Sequence, residues 1–281
     1  MRQVSGPAGK AWMVLRYVAL AAFCLVWIYP FLWLLSASLK TPMEIFAKGL
    51  NLMPDAPVWE NYSRAWITAG FQGYMINTLI VTIGTVAVVI FHTALTGYVL
   101  GRYEFAGRKL IIGILGATFV VPAGLTIIPI VDLASTLGLM NGPWGIILAL
   151  AGSGQSAAIL LYAGYFRSLP KELEEAATMD GANFLNVFFN IMLPLAGPVT
   201  ATVGVLTFLA AWNAFLIPLV FTFSAPELRT LPVGMLAFVG TNETDWSGMA
   251  AAATISLVPV IAFFFVVQRY FVEGISGAVK A

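Results

Sequence analysis

The stretch ELEEAATMDGANFLNVFFNIMLP, Glu172 to Pro194, puts four carboxylates within nine residues of a chain in which only 10% of residues are charged. Pro170, just before it, suits the first turn of a helix because the donor it lacks would be unpaired there. Glu172, Glu174 and Glu175 then fall where the positive end of the helix dipole favours them. On that helix Leu173, Ala176, Ala177, Asp180 and Gly181 recur at i, i+3, i+4, i+7 and i+8, a stripe of mostly small side chains that lets another backbone come close. Gly181 is able to end the helix at positive φ. The following NFLNVFFNIMLP resumes a more apolar helix that stops or kinks at Pro194. By pattern alone, a short helix lying at a membrane interface accounts for this stretch as well as a docking element does.

The rest of the chain is suited to lipid. With 281 residues, 60% of them hydrophobic, and a mean hydropathy of +0.90, the apolar surface exceeds what a soluble domain of this size buries. A net charge of +1 argues against a nucleic-acid partner, which calls for a basic face to neutralise phosphates. Cys24 is the sole cysteine, so neither a disulfide framework nor a thiolate metal site is available. Six runs free of Asp, Glu, Lys and Arg are each long enough to cross a bilayer, which takes about 20 residues. They are Tyr17 to Leu39, Phe71 to Gly101, Leu110 to Val131, Trp144 to Phe166, Leu195 to Phe223 and Trp246 to Gln268. The first exceeds the apolar region of a cleavable signal, roughly 7 to 15 residues, and is read as a retained span.

Loop charges orient these spans. With a cytosolic N-terminus the inside segments carry Arg2, Lys10, Arg16, Arg102, Arg108, Lys109, Arg167, Lys171, Arg269 and Lys280, against Lys40, Lys48, Arg64 and Arg229 outside. That bias obeys the positive-inside rule. Both ends are expected in the cytosol, and the acidic stretch on the cytosolic side between the fourth and fifth spans. The sequence divides into residues 1–70, holding the tail, first span and first external segment, and residues 71–281, a five-helix core.

Glu175-Ala176-Ala177, three residues, Gly181, nine residues, Ile191, one residue, then Leu193 and Pro194, resembles the EAA loop of ABC importer permeases. NTLIVT from Asn77, TGYVLGRYEFAGRKL from Thr96, WNAFLIPLVF from Trp212 and TLPVGMLAF from Thr230 extend the resemblance over Tyr29 to Lys280, toward the smaller permease subunit of maltose-type carbohydrate importers. Gly97-Tyr98-Val99 departs from the Ala-rich run frequent in that group. The resemblance implies an all-α membrane protein of the type I ABC importer permease fold, with six transmembrane helices and both ends inside. It also implies a cytosolic coupling helix that docks on an ATPase. The coupling set would be Glu174, Glu175, Ala176, Ala177, Asp180, Gly181, Ile191, Leu193 and Pro194. Implied partners are a second, different and larger permease subunit, two ATPase subunits that carry ATP and Mg, and an extracytoplasmic solute-binding protein. The chain itself would hold no cofactor or metal and catalyse nothing, working in a bacterial or archaeal cytoplasmic membrane.

Polar residues inside the apolar runs mark either helix packing or a solute pathway. Trp212 and Asn213 interrupt the fifth run, and Ser153, Gln155 and Ser156 the fourth. Asn213, Trp212, Gln155 and Ser156 are the candidate pathway residues. His92 is a lone intramembrane histidine with no acidic partner in any run, which favours a hydrogen-bonded packing role over a proton relay. No phosphate-binding G-x-x-x-x-G-K-[ST], H-E-x-x-H or G-x-S-x-G motif occurs. An ion-coupled secondary transporter remains the alternative class, disfavoured by the lack of an intramembrane carboxylate.

Overall fold

The computed structural model describes residues 7–241 and 243–278. Arg2 and Lys280, counted above among the loop charges, lie outside them. The described residues are helical apart from an isolated antiparallel bridge between Val239 and Thr244 and the connecting turns. Helix is the expected answer for uncharged runs in lipid, where every backbone donor and acceptor must be satisfied within its own segment.

Among the described residues three helices are long and apolar enough to cross a membrane: α1 (Pro7–Ala37), α4 (Phe71–Arg102) and α15 (Trp246–Ala278). Three bent pairs of shorter helices bring the number to as many as six. Between α1 and α4 lie α2 (Pro42–Lys48) and α3 (Glu60–Ser63). After α4 come α5 (Arg108–Ala117) and α6 (Ile127–Thr136), then α7 (Pro143–Gly152) and α8 (Ser156–Ser168), the latter pair bent by 59°. The acidic stretch forms α9 (Glu172–Met179) and α10 (Phe184–Val187), which continues through a π turn at Phe188–Met192 into α11 (Leu193–Leu195). Across a bend of 78° follow α12 (Gly197–Trp212), α13 (Leu216–Phe221) and α14 (Leu231–Gly234).

The expected third, fourth and fifth spans are thus broken rather than continuous. The third breaks around Pro122, whose ring fixes φ and removes a donor, and it resumes as far as Thr136. The fourth breaks at Ser153–Gln155, with Gly154 at φ 67°. The fifth ends its main helix at Trp212, where Asn213 turns the chain.

The chain forms two compact units. One runs through Phe71 and takes in Met235–Val258; the other holds Gln72–Gly234 and the residues from Pro259 on. The return of 235–258 to the first unit rests on specific contact. Arg64 Nε donates to Asp245 Oδ2 at 2.8 Å and its Nη2 to Asp245 Oδ1 at 3.0 Å, a two-point fork. Asp245 also accepts from Gly248 N at 2.9 Å, capping the start of α15. Phe71 and Phe238 rings meet at 5.5 Å, and Ala250 packs with Ala37 and Ile45. In the same unit Thr41 Oγ1 accepts from Glu44 N to cap α2, and the hydrogen bond from Lys48 to Asp55 holds that ammonium above its ordinary pKa range.

The second unit is built on α4. Its buried core joins Val89, Ala94 and Tyr98 of α4 to Tyr162 and Phe166 of α8, Phe188 and Met192 of the π turn, and Val199 and Val203 of α12. Gly97 and Gly101, one turn apart, let α4 and α8 approach backbone to backbone. A Cβ at Gly97 would stand 2.4 Å from Tyr162 Cβ, and one at Gly101 2.6 Å from the Ala163 carbonyl oxygen. Asn77 and Thr78, at the start of the NTLIVT segment, act as a brace. Asn77 donates to the Glu227 and Arg229 carbonyls at 2.7 and 3.0 Å, and Thr78 Oγ1 accepts from Leu231 N at 2.8 Å.

Candidate functional site

Helix α9 ends as its sequence requires. The Ala182 amide donates to the Ala177 carbonyl and the Gly181 amide to the Thr178 carbonyl, both at 3.0 Å, with Gly181 at φ 83°. This paired closure satisfies carbonyls that a helix end otherwise leaves open, and it needs a left-handed residue at the glycine position. Asn183 then caps α10 by accepting from Asn186 N at 2.9 Å. The acidic helix is therefore a defined two-turn block between two short connectors.

Its faces are unlike. Ala177 is buried and packs into the core of the second unit. Glu172, Glu175, Ala176, Met179 and Asp180 are exposed. Glu174 turns inward: Arg102 Nε donates to its Oε2 at 2.7 Å, and Arg102 Nη2 lies 2.6 Å from the same oxygen. The sequence names Glu174 with Glu175 in one coupling set, but successive helical residues are about 100° apart, and Arg102 at the end of α4 pairs with the first of the two. The same guanidinium donates to the carbonyls of Leu169 at 2.7 Å, Pro170 at 3.2 Å and Phe166 at 3.3 Å. It thereby caps the end of α8 and ties the connector to α9.

One turn earlier on α4, Tyr98 holds the far side of the block. Its ring lies 5.4 Å from Phe166, 5.5 Å from Phe184 and 5.3 Å from Phe188. Ile191 and Leu193 pack, half-buried, against the same core, whereas Pro194 is exposed. Arg102 and Tyr98 are functional-looking residues that a reading of the loop alone overlooks. The available signals are the charge that ends a long uncharged run and the Gly97-x-x-x-Gly101 spacing around Tyr98, which marks close helix packing.

A second feature is the break between α7 and α8. Ser153 Oγ donates to the Ala149 carbonyl at 2.5 Å, and Gln155 Nε2 to those of Leu150 and Ser153 at 3.2 and 2.8 Å. Side chains thus satisfy carbonyls that the interruption frees, which irregular backbone inside an apolar run demands. Beside it lies a cleft of about 340 Å³ lined by Gln155, Ser153, Thr85, Thr207 and small residues of α8 and α12. Of the four candidate pathway residues, Gln155 borders this cleft and the others do not. Ser156 is buried and accepts from Thr118 Oγ1 at 2.7 Å; Trp212 is buried and stacks on Phe208; Asn213 is exposed and donates to the Leu209 carbonyl. His92 makes a hydrogen bond of 2.8 Å from Nδ1 to the Val88 carbonyl of its own helix.

Residues 93–277 match the family of binding-protein-dependent transport system inner membrane components. The chain is similar to the diacetylchitobiose uptake system permease protein NgcG of Streptomyces coelicolor, 31% identical over 98% of this chain and 91% of that one. It is similar also to the melibiose/raffinose/stachyose import permease protein MelC of Bacillus subtilis, 32% identical over 96% of this chain and 98% of its relative. Among solved structures it resembles a chain in the crystal structure of a bacterial ABC transporter involved in the import of the acidic polysaccharide alginate. The TM-score is 0.82 at 26% identity, covering 96% of this chain and all of that one.

Proposed function

The chain belongs to the binding-protein-dependent transport system inner membrane components, and on that premise we propose that it imports a sugar or sugar-like solute with α9 as the contact to an ATPase subunit. The sugar class is supported by what its relatives are named for, diacetylchitobiose uptake and melibiose, raffinose and stachyose import. In this reading a second, different and larger permease subunit, two ATPase subunits holding ATP and Mg, and an extracytoplasmic binding protein complete the transporter. Both chain ends and α9 face the cytosol of a bacterial or archaeal cell, and the permease catalyses nothing itself.

The observation that carries the coupling role is the asymmetry of α9. Its inner residues, Glu174 and Ala177, are tied to the helix bundle, while Glu175, Ala176, Met179 and Asp180 present an outward face closed off by the Gly181 turn. An element pinned on one face and free on the other passes displacement inward. Closure of the ATPase pair would push α9, and the permease pair would turn its cavity outward to receive solute; reopening would turn it inward. Packed helices support such two-state changes. Gln155 and the cleft beside it are assigned to the solute route, with Trp212, Ser156 and Asn213 shaping the surrounding helices.

Glu175→Lys tests the contact. Loss of one side of a charge-assisted pair costs about 2 kcal/mol or more, roughly 30-fold in affinity. The variant is expected to reach the membrane, to lose the ATPase on purification in mild detergent, and to abolish uptake. Full uptake with the ATPase still co-purifying would return α9 to the role of an ordinary interfacial helix.

A further inference from the structure

Helix α9 is flanked in the chain by α8 and α10, with residues 169–171 and 180–183 as connectors on either side. Connectors of this kind are natural hinges, and a hinge would absorb a push instead of transmitting it. Arg102 removes the first hinge. Its side chain is 4% exposed and donates to Glu174 in the first turn of α9 and to the carbonyls of Phe166, Leu169 and Pro170. A guanidinium is a rigid fork with donors in one plane, so these bonds fix direction as well as distance. Tyr98 lies one turn before Arg102 on the same face of α4, and its ring contacts with Phe184 and Phe188 hold the segment that follows the second connector. Gly97 and Gly101 meanwhile seat α4 on α8 so closely that no Cβ fits between them.

We infer that Arg102 is a positioning residue that makes α9 travel with α4, so that α4, which is not joined to the loop in sequence, receives the motion of the coupling helix together with α8, which is. This rests on the reading of α9 as the ATPase contact. The last turns of α4 and α8 with α9 form one body, and Arg102 is its latch.

The test uses the assembled transporter, comparing Arg102→Gln, Arg102→Lys and Glu174→Gln with Glu175→Lys. Arg102→Gln leaves the outward face of α9 intact. The ATPase is expected to co-purify and to hydrolyse ATP at its basal rate, while solute-stimulated hydrolysis and uptake fall about ten-fold, within the usual range for coupling between sites. Arg102→Lys keeps the charge beside Glu174 without the fork to the carbonyls, and is expected to restore part of the stimulation. The double variant with Glu174→Gln is expected to be no worse than Arg102→Gln alone, since both remove one contact. If Arg102→Gln fails to accumulate, Glu174→Gln, which leaves the carbonyl bonds in place, carries the test on the same terms. Stimulated hydrolysis and uptake at the unsubstituted level would overturn the inference. So would a loss that tracks release of the ATPase, since that assigns Arg102 to docking. Glu175→Lys separates the two ideas: if it leaves the ATPase bound and uptake unchanged, the docking reading fails independently of how Arg102 behaves.

Discussion

Glycine does opposite work at the α4–α8 crossing and at the end of α9. At Gly101 the backbone is an ordinary helix, which any residue adopts, but the neighbouring helix occupies the place of a side chain. At Gly181 nothing lies within 4 Å of the missing Cβ, yet φ is 83°, a conformation that side chains disfavour. One position is limited by space and the other by conformation. The first keeps two helices in register; the second keeps a short helix from running on.

The difference is open to substitution. The largest effect is expected for Gly101→Val, which forces side-chain atoms into the Ala163 carbonyl: a loss of about 3 kcal/mol in detergent-driven unfolding, with separation of α4 from α8. A smaller loss, about 1 to 3 kcal/mol, is expected for Gly181→Val, where a branched residue is driven into the left-handed region. Gly181→Asn should recover most of it, because asparagine tolerates that region. Equal losses for Val and Asn would mean that crowding, not conformation, governs this site. The smallest effect, and of opposite sign, is expected for Gly204→Ala. This helical glycine of α12 has only Ile90 Cδ1 near the added Cβ, at 3.5 Å. Removing its backbone freedom should stabilise by about 0.5 to 1 kcal/mol, and a loss like that of Gly101→Val would break the distinction.

Composition made the all-helical membrane fold legible, because the uncharged runs admit hardly any other structure in lipid. The end of α4 was legible for the same reason, since Arg102 is the charge that ends its run. The breaks were only half legible. Gly152 to Ser156 and Trp212-Asn213 read as polar interruptions, but a run of apolar residues gives no sign of where its helix bends unless a Pro or Gly marks it, and Asn213 does so weakly. Within the acidic stretch, the closure at Gly181 followed from local chemistry. The inward turn of Glu174 did not, because its partner stands 72 positions earlier, and adjacent glutamates look alike until a tertiary contact separates them. Gly97-Tyr98 is a packing site where the glycine admits Tyr162 and the tyrosine holds the aromatic cluster.

The fork between Arg64 and Asp245 joins residues 181 positions apart. At about 5 to 20 residues per second, a ribosome needs roughly 10 to 40 s to make the second after the first. Throughout that interval the nascent N-terminal unit has a guanidinium with no carboxylate and a surface with no 235–258 segment to cover it. Premature termination before Asp245 makes that condition permanent, so the ion pair reports that synthesis has passed residue 245.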